Sequence, residues 1–247
     1  MSARIDHFTV AAFERPASFA ALVEQVARLQ AEQGTDGEVF VTLDDPDQCL
    51  YTRSHAVDAH GFDAGLDYPS DGDPAALAAY ESAALHATAA ALADPARAFA
   101  WADLPEEWLW EADDIEALAA MNAHPEVVLD AVHIAQCLPS GMGLLANLPN
   151  GYFSGDWTPF ATHAVAERLR RQGYTLRGIG ARCLWFARTT TPSPSETDAT
   201  ISDLQHLYGN ADSPAWAALH LTLATRPHLL LGYTEDFAEL TSDLGDA

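Results

Sequence analysis

The chain has 247 residues, 49% of them hydrophobic and six of them tryptophan, so it can bury a sizeable core and is not a disordered tail. Thirty-six acidic residues face twelve basic ones, all arginine, and the formal net charge of −24 argues against general binding to phosphate backbones. No apolar run is long enough to cross a bilayer, no export signal is visible, and the three cysteines (Cys49, Cys137, Cys183) form no CxxC pair, so no membrane contact, a reducing cytosol, no disulfide framework and no zinc knuckle are expected.

The first strand is expected over "IDHFTVAAF" (5–13). A helix follows, because Phe19, Leu22, Val23, Val26 and Leu29 recur at helical spacing and Gly34 supplies a stop. "EVFVTL" (38–43) and "CLYTRSHAV" (49–57) look like two strands joined by the Asp/Pro turn "DDPDQ". After an acidic loop over 58–73, Asp73 caps and Pro74 opens an alanine-rich helix to about residue 93. "FAWADLPEEWLW" (99–110) holds Trp101, Trp108 and Trp110 among acids, and two short helices are expected near 113–122 and 125–137.

The apolar run "GLLANL" (143–148) is expected as a strand, followed by the loop "PNGYFSGDW". Thr158 then caps a helix with Pro159 in its first position and Phe160, Val165 and Leu169 on its buried stripe. Gly173 ends it, and "YTLRGIGARCLWFAR" (174–188) folds into two strands near Gly178 and Gly180. The segments at about 5–57 and 143–188 therefore share the order strand, helix, hairpin, and "CLYTR" matches "CLWFAR". The expected fold is α+β: two β-α-β-β pseudo-repeats forming antiparallel-rich sheet covered by helices, in a body over 1–188 with a helical insert at 74–137. A linker at 189–196 then leads to a helical extension over 197–247, with helices near 197–208, 213–225 and 234–244. An alternating α/β fold with a parallel sheet is the competing expectation.

Charge is unevenly placed: Arg168, Arg170, Arg171, Arg177, Arg182 and Arg188 fall in one stretch of 21 residues without an acid. The first five are candidates for binding a protein partner or a small anion, and self-association against the acidic surface is a further expectation. The alternative is helix chemistry, with cations in a last turn and Glu167 four residues before Arg171. Tyr152 and Trp157, in the glycine-rich loop, are candidates for a pocket wall.

No Walker motif, dinucleotide fingerprint, HExxH or GxSxG elbow is present, so phosphate cradling and those hydrolytic designs are not expected. The carboxylate runs "DDPD" (44–47) and "DYPSDGD" (67–73) lack EF-hand spacing. Asp44, Asp45 and Asp47 with His55 and His60 are nevertheless the residues that would hold a divalent metal. Asp130, His133 and Cys137 on one expected helix face, and His163 with Glu167, are further pairs to place. Two functions are thus expected in competition: a cytosolic acidic binding or regulatory module without a cofactor, and a metal-dependent enzyme using the Asp/His set.

Overall fold

The computed structural model describes residues 5–70, 72–104 and 110–246; Asp71 and the stretch 105–109, with Glu106, Glu107 and Trp108, lie outside the described residues. In chain order the elements are β1 (Thr9–Glu14), α1 (Phe19–Gln33), β2 (Gly37–Thr42), α2 (Pro46–His60), α3 (Pro74–Leu92) and α4 (Ala112–Ala123). A single 3-10 turn at Pro125–Val128 precedes β3 (Val132–Pro139). Then come α5 (Leu144–Asn147), α6 (Pro159–Arg171), β4 (Thr175–Ile179), β5 (Cys183–Ala187), α7 (Pro194–Tyr208), α8 (Ala215–Leu223), β6 (His228–Gly232) and a 3-10 segment at Phe237–Asp246.

The six strands form one mixed sheet in the order β1-β3-β2-β4-β5-β6. Every pair is antiparallel except β2 and β4, which run parallel through Val41↔Gly178 and Thr42↔Ile179. Val39 to Thr42 and Cys183 to Phe186 are buried without alternation, as expected of central strands covered on both faces.

Local chemistry explains the helices that the sequence announces. Ser18 accepts the Ala21 N–H (3.2 Å) at the start of α1, and Gly34 closes it with φ 70°. Asp73 accepts the Ala75 and Ala76 N–H groups ahead of α3, and Thr158 accepts the Ala161 N–H ahead of α6. Phe160, Val165 and Leu169 are buried, as their spacing requires.

Four segments differ from expectation. Residues 49–57 lie within α2 and not in a strand: Asp45 accepts the Gln48 N–H (3.0 Å), Pro46 takes the first turn, and Cys49, Thr52 and Ala56 face the core. An Asp-Pro pair serves a turn and a helix start equally well, so the helix won by burying this face. Residues 132–139 form β3 in place of a helix, because β1 and β2 both offer it a ladder and Val132 and Ile134 are β-branched. Residues 144–147 form one helical turn in place of a strand, and 228–232 form edge strand β6 inside a stretch expected to be helical. The two segments compared above consequently have the orders β-α-β-α and α-α-β-β.

β6 is held on its outer edge by Asn122 of α4. The Asn122 side chain donates to Leu230 O (2.8 Å) and Leu118 O (2.9 Å), and it accepts the Leu230 N–H (2.8 Å). It thereby supplies the hydrogen bonds that a seventh strand would make. Asn122→Ala leaves buried Leu230 N–H and C=O groups without partners, so denaturant unfolding is expected to show a loss of about 2–3 kcal/mol. Hydrogen exchange at the Leu230 amide should lose protection in the same variant, and unaltered protection would contradict this role.

Candidate functional site

A half-open groove of about 510 Å³ lies over the joint between β2 and β4. Phe40 and Leu176 come from those strands, Ala89 and Leu92 from α3, and Leu145 from α5. The loop Gly141–Gly143 borders the groove beside α5, while α6 contributes His163, Glu167 and Arg170. Each apolar residue is where its own element needs a buried side chain, and the groove is the space the helices leave between them.

The polar groups around it are largely satisfied by one another. Arg170 Nε and Nη2 donate to the two Glu167 carboxylate oxygens at 3.0 and 2.9 Å, and this contact holds Glu167 below the usual carboxylate range. Burial lowers the pKa of His163, against an opposing pull from Glu167, which favours a neutral imidazole. Beside the groove, the Arg177 guanidinium lies 6.0 Å from the Phe40 ring; burial lowers its pKa, and Glu38 opposes the shift. The groove therefore offers mainly apolar walls, one paired couple in Glu167 and Arg170, and the Glu38 carboxylate.

Three of the other arginines are similarly engaged. Arg168 makes a two-point contact with Asp203 on α7 (2.6 and 2.8 Å), and Gln172 donates to the same carboxylate. Arg182, in the β4–β5 turn, donates to Asp236 (3.0 Å) and Glu239 (3.4 Å). Arg188 pairs with Glu196 at 2.5 Å, and Arg171 is exposed at the end of α6. The basic stretch is thus distributed over α6, β4, the β4–β5 turn and the position after β5, with four of its guanidiniums ion-paired to acids.

The Asp/His set is dispersed. Asp44, at the end of β2, accepts from Cys183 Sγ and from the Arg182 N–H at 3.2 Å each, and burial raises its pKa to about 6. Asp45 caps α2, and Asp47 lies in its first turn. His55 stacks on Tyr152 (4.6 Å) and meets Tyr51 edge-on (4.5 Å), whereas His60 packs against Phe160 (5.3 Å) and has its pKa lowered by burial and by Arg97. Among the described residues no group of three or more His, Cys, Asp or Glu side chains is placed to hold a metal ion.

Trp157 is fully buried beside Trp110 and Tyr208, while Tyr152 is exposed on the loop; neither lines the groove. His133 and Cys137 share one face of β3, with His133 Nδ1 2.9 Å from Thr42 O. His163 and Glu167 are the one sequence-level pair that the structure brings to the groove together. The remaining wall residues, Phe40, Leu145 and Leu176 among them, carried no sequence signal beyond that of ordinary core residues.

No helix among the described residues is long and apolar enough to cross a membrane. Comparison with known proteins finds no matching family model, no matching curated protein and no matching solved structure.

Proposed function

We propose that the protein is a small-molecule-binding module whose ligand, uncharged and mainly apolar, occupies the groove between α3, α5, α6 and the β2–β4 joint. The observation that carries this reading is a recess of about 510 Å³ with mainly apolar walls, whose lining cation, Arg170, is already held by Glu167. That volume falls within the usual range for small-molecule sites. A neutral ligand replaces the small anion expected from the arginines, because Arg168, Arg170, Arg182 and Arg188 are each held by a carboxylate. An anion would also have to approach a chain of net charge −24.

The test uses Nile red, an uncharged apolar dye, titrated into the intact protein. Saturable one-to-one binding with blue-shifted emission is expected, and Ala93→Trp should weaken it at least ~10-fold. Ala93 is exposed and lines the groove, so the indole would fill the mouth without entering the core. Non-saturable binding, or equal affinity in the variant, would rule the groove out; saturable binding of inorganic phosphate in its place would return the assignment to the arginines.

A further inference from the structure

His7, in the segment before β1, reaches across to α3 and stands between two neighbouring side chains of that helix. Its Nδ1 lies 2.7 Å from Glu81 Oε2, and its Nε2 lies 3.1 Å from Ser82 Oγ. Glu81 Oε2 also accepts the His7 backbone N–H at 2.8 Å, which fixes the imidazole's position along the chain as well as in orientation. An ionised carboxylate can only accept, so in the neutral ring the proton resides on Nδ1 and Nε2 presents its lone pair. The Ser82 hydroxyl then donates to Nε2. A nucleophile, a base that receives its proton and an acid that orients the base are therefore in line and within hydrogen-bond reach.

We propose that Ser82 is a nucleophilic serine that is acylated by uncharged carboxylic esters, with His7 as its general base and Glu81 as the positioning residue. All three side chains retain partial exposure, 23% for His7 and 16% for Glu81, so the hydroxyl is within reach of a reagent from solution. The Phe8 ring, 3.8 Å from the imidazole, supplies an apolar wall. The class of substrate follows from charge: Glu81 and the net charge of −24 disfavour an anionic ester. Ser82 is also seven residues before Ala89, hence on the same face of α3 as the groove and about 10 Å from it along the helix axis.

In the reaction Ser82 Oγ attacks the ester carbonyl carbon, forming a new C–O bond while its proton passes to His7 Nε2. The tetrahedral adduct collapses, the bond to the alcohol oxygen breaks, and the departing alcohol takes that proton. Water, deprotonated by the same nitrogen, then releases the acid and restores the hydroxyl. No oxidant, reductant or cofactor enters the balance.

Diisopropyl fluorophosphate tests the assignment on the intact protein, because displacement of its fluoride by a serine leaves a stable Oγ–P bond. One adduct per chain is expected by intact mass, located by peptide mapping at Ser82. His7→Gln should slow labelling at least ~100-fold, the contribution of a positioned base. Glu81→Gln should alter the pH profile of labelling, and Ser82→Ala should abolish the adduct. An unlabelled wild-type chain, an adduct at another residue, or an unchanged rate in His7→Gln would each overturn the proposal. The wild-type arm decides even if a variant fails to fold, and it is independent of Nile red binding to the groove.

Discussion

Replacing Gly151 with alanine is expected to cost roughly 3–5 kcal/mol, more than any other single methyl group added to the loop that precedes α6. Two causes add. Gly151 has φ +103°, a conformation in which an L side chain is strained, and a Cβ there would collide with the Trp157 carbonyl. Nor can the carbonyl withdraw, because the Trp157 side chain is fully buried and the Trp157 backbone N–H donates to Tyr233 O at 2.8 Å. Loop 151–157 is therefore welded to the segment following β6. Chemical denaturation of the variant measures the loss, and a change below about 1 kcal/mol would show that the loop relaxes freely.

Between pH 7 and pH 5, two buried carboxyls and four histidines are expected to pull stability in opposite directions. Burial raises the pKa of both Asp44 and Asp156 to about 6, from the ordinary aspartate value of 3.8. For Asp156, the N–H groups of Tyr152 and Phe153 oppose the shift, while Asp236 and Glu235 add to it. An acid whose folded pKa is raised binds its proton more tightly when folded, so its stabilisation is complete below about 3.8 and is lost as pH climbs through about 6. For deeply buried Asp44 the difference corresponds to about 3 kcal/mol between the two limits. Asp156 acts in the same direction.

Glu167 and Glu196 work oppositely. Hydrogen bonds from Arg170 lower the first, and hydrogen bonds from the Ser193 N–H and from Arg188 bring the second down to about 2. Their contribution is lost as pH falls below about 4.5, the unfolded value for a glutamate. The imidazoles of His60, His133, His163 and His228, whose pKa values burial lowers, also act against the two carboxyls, because their stabilising contribution is lost as pH falls below about 6.5. The Asp44 carboxyl is therefore read by difference: relative to the parent protein, Asp44→Asn should gain about 1 kcal/mol in unfolding free energy between pH 5 and pH 7. A difference between Asp44→Asn and the parent protein that is the same at pH 5 and pH 7 would show that the Asp44 carboxyl is not held in its neutral form.

The helices were legible in the sequence where capping and periodicity coincided. Asp73 and Thr158 each accept the N–H groups their positions imply, and the stripes on α1 and α6 face the core. The hairpin of β4 and β5 was legible from its glycines and aromatic residues. Legibility failed where one residue type serves two structures, as with Asp45-Pro46, and where pairing partners are remote. β3 takes its ladders from β1 and β2, more than ninety positions away, and no local pattern encodes that choice. The run "HLLLG" is too short for periodicity to separate strand from helix.

Remoteness also hid the candidate sites. The arginine stretch looked free because the partners of Arg168 and Arg182 are 35, 54 and 57 positions away. His7 meets Glu81 and Ser82 across 74 and 75 positions, and nothing in "RIDHF" or "AYESA" announces the encounter. The groove left still less trace, since its walls are the ordinary inner faces of separate elements.

The sheet is two antiparallel triplets, β1-β3-β2 and β4-β5-β6, meeting along a seam of only two paired residues on each side. The proposed ligand recess straddles that seam, with Glu38 and Phe40 from one triplet and Thr175 and Leu176 from the other. A guest seated there grips both halves at once and acts as a rivet across the narrowest joint. Occupancy would accordingly be felt as resistance to shearing of the whole sheet, well beyond the atoms it touches.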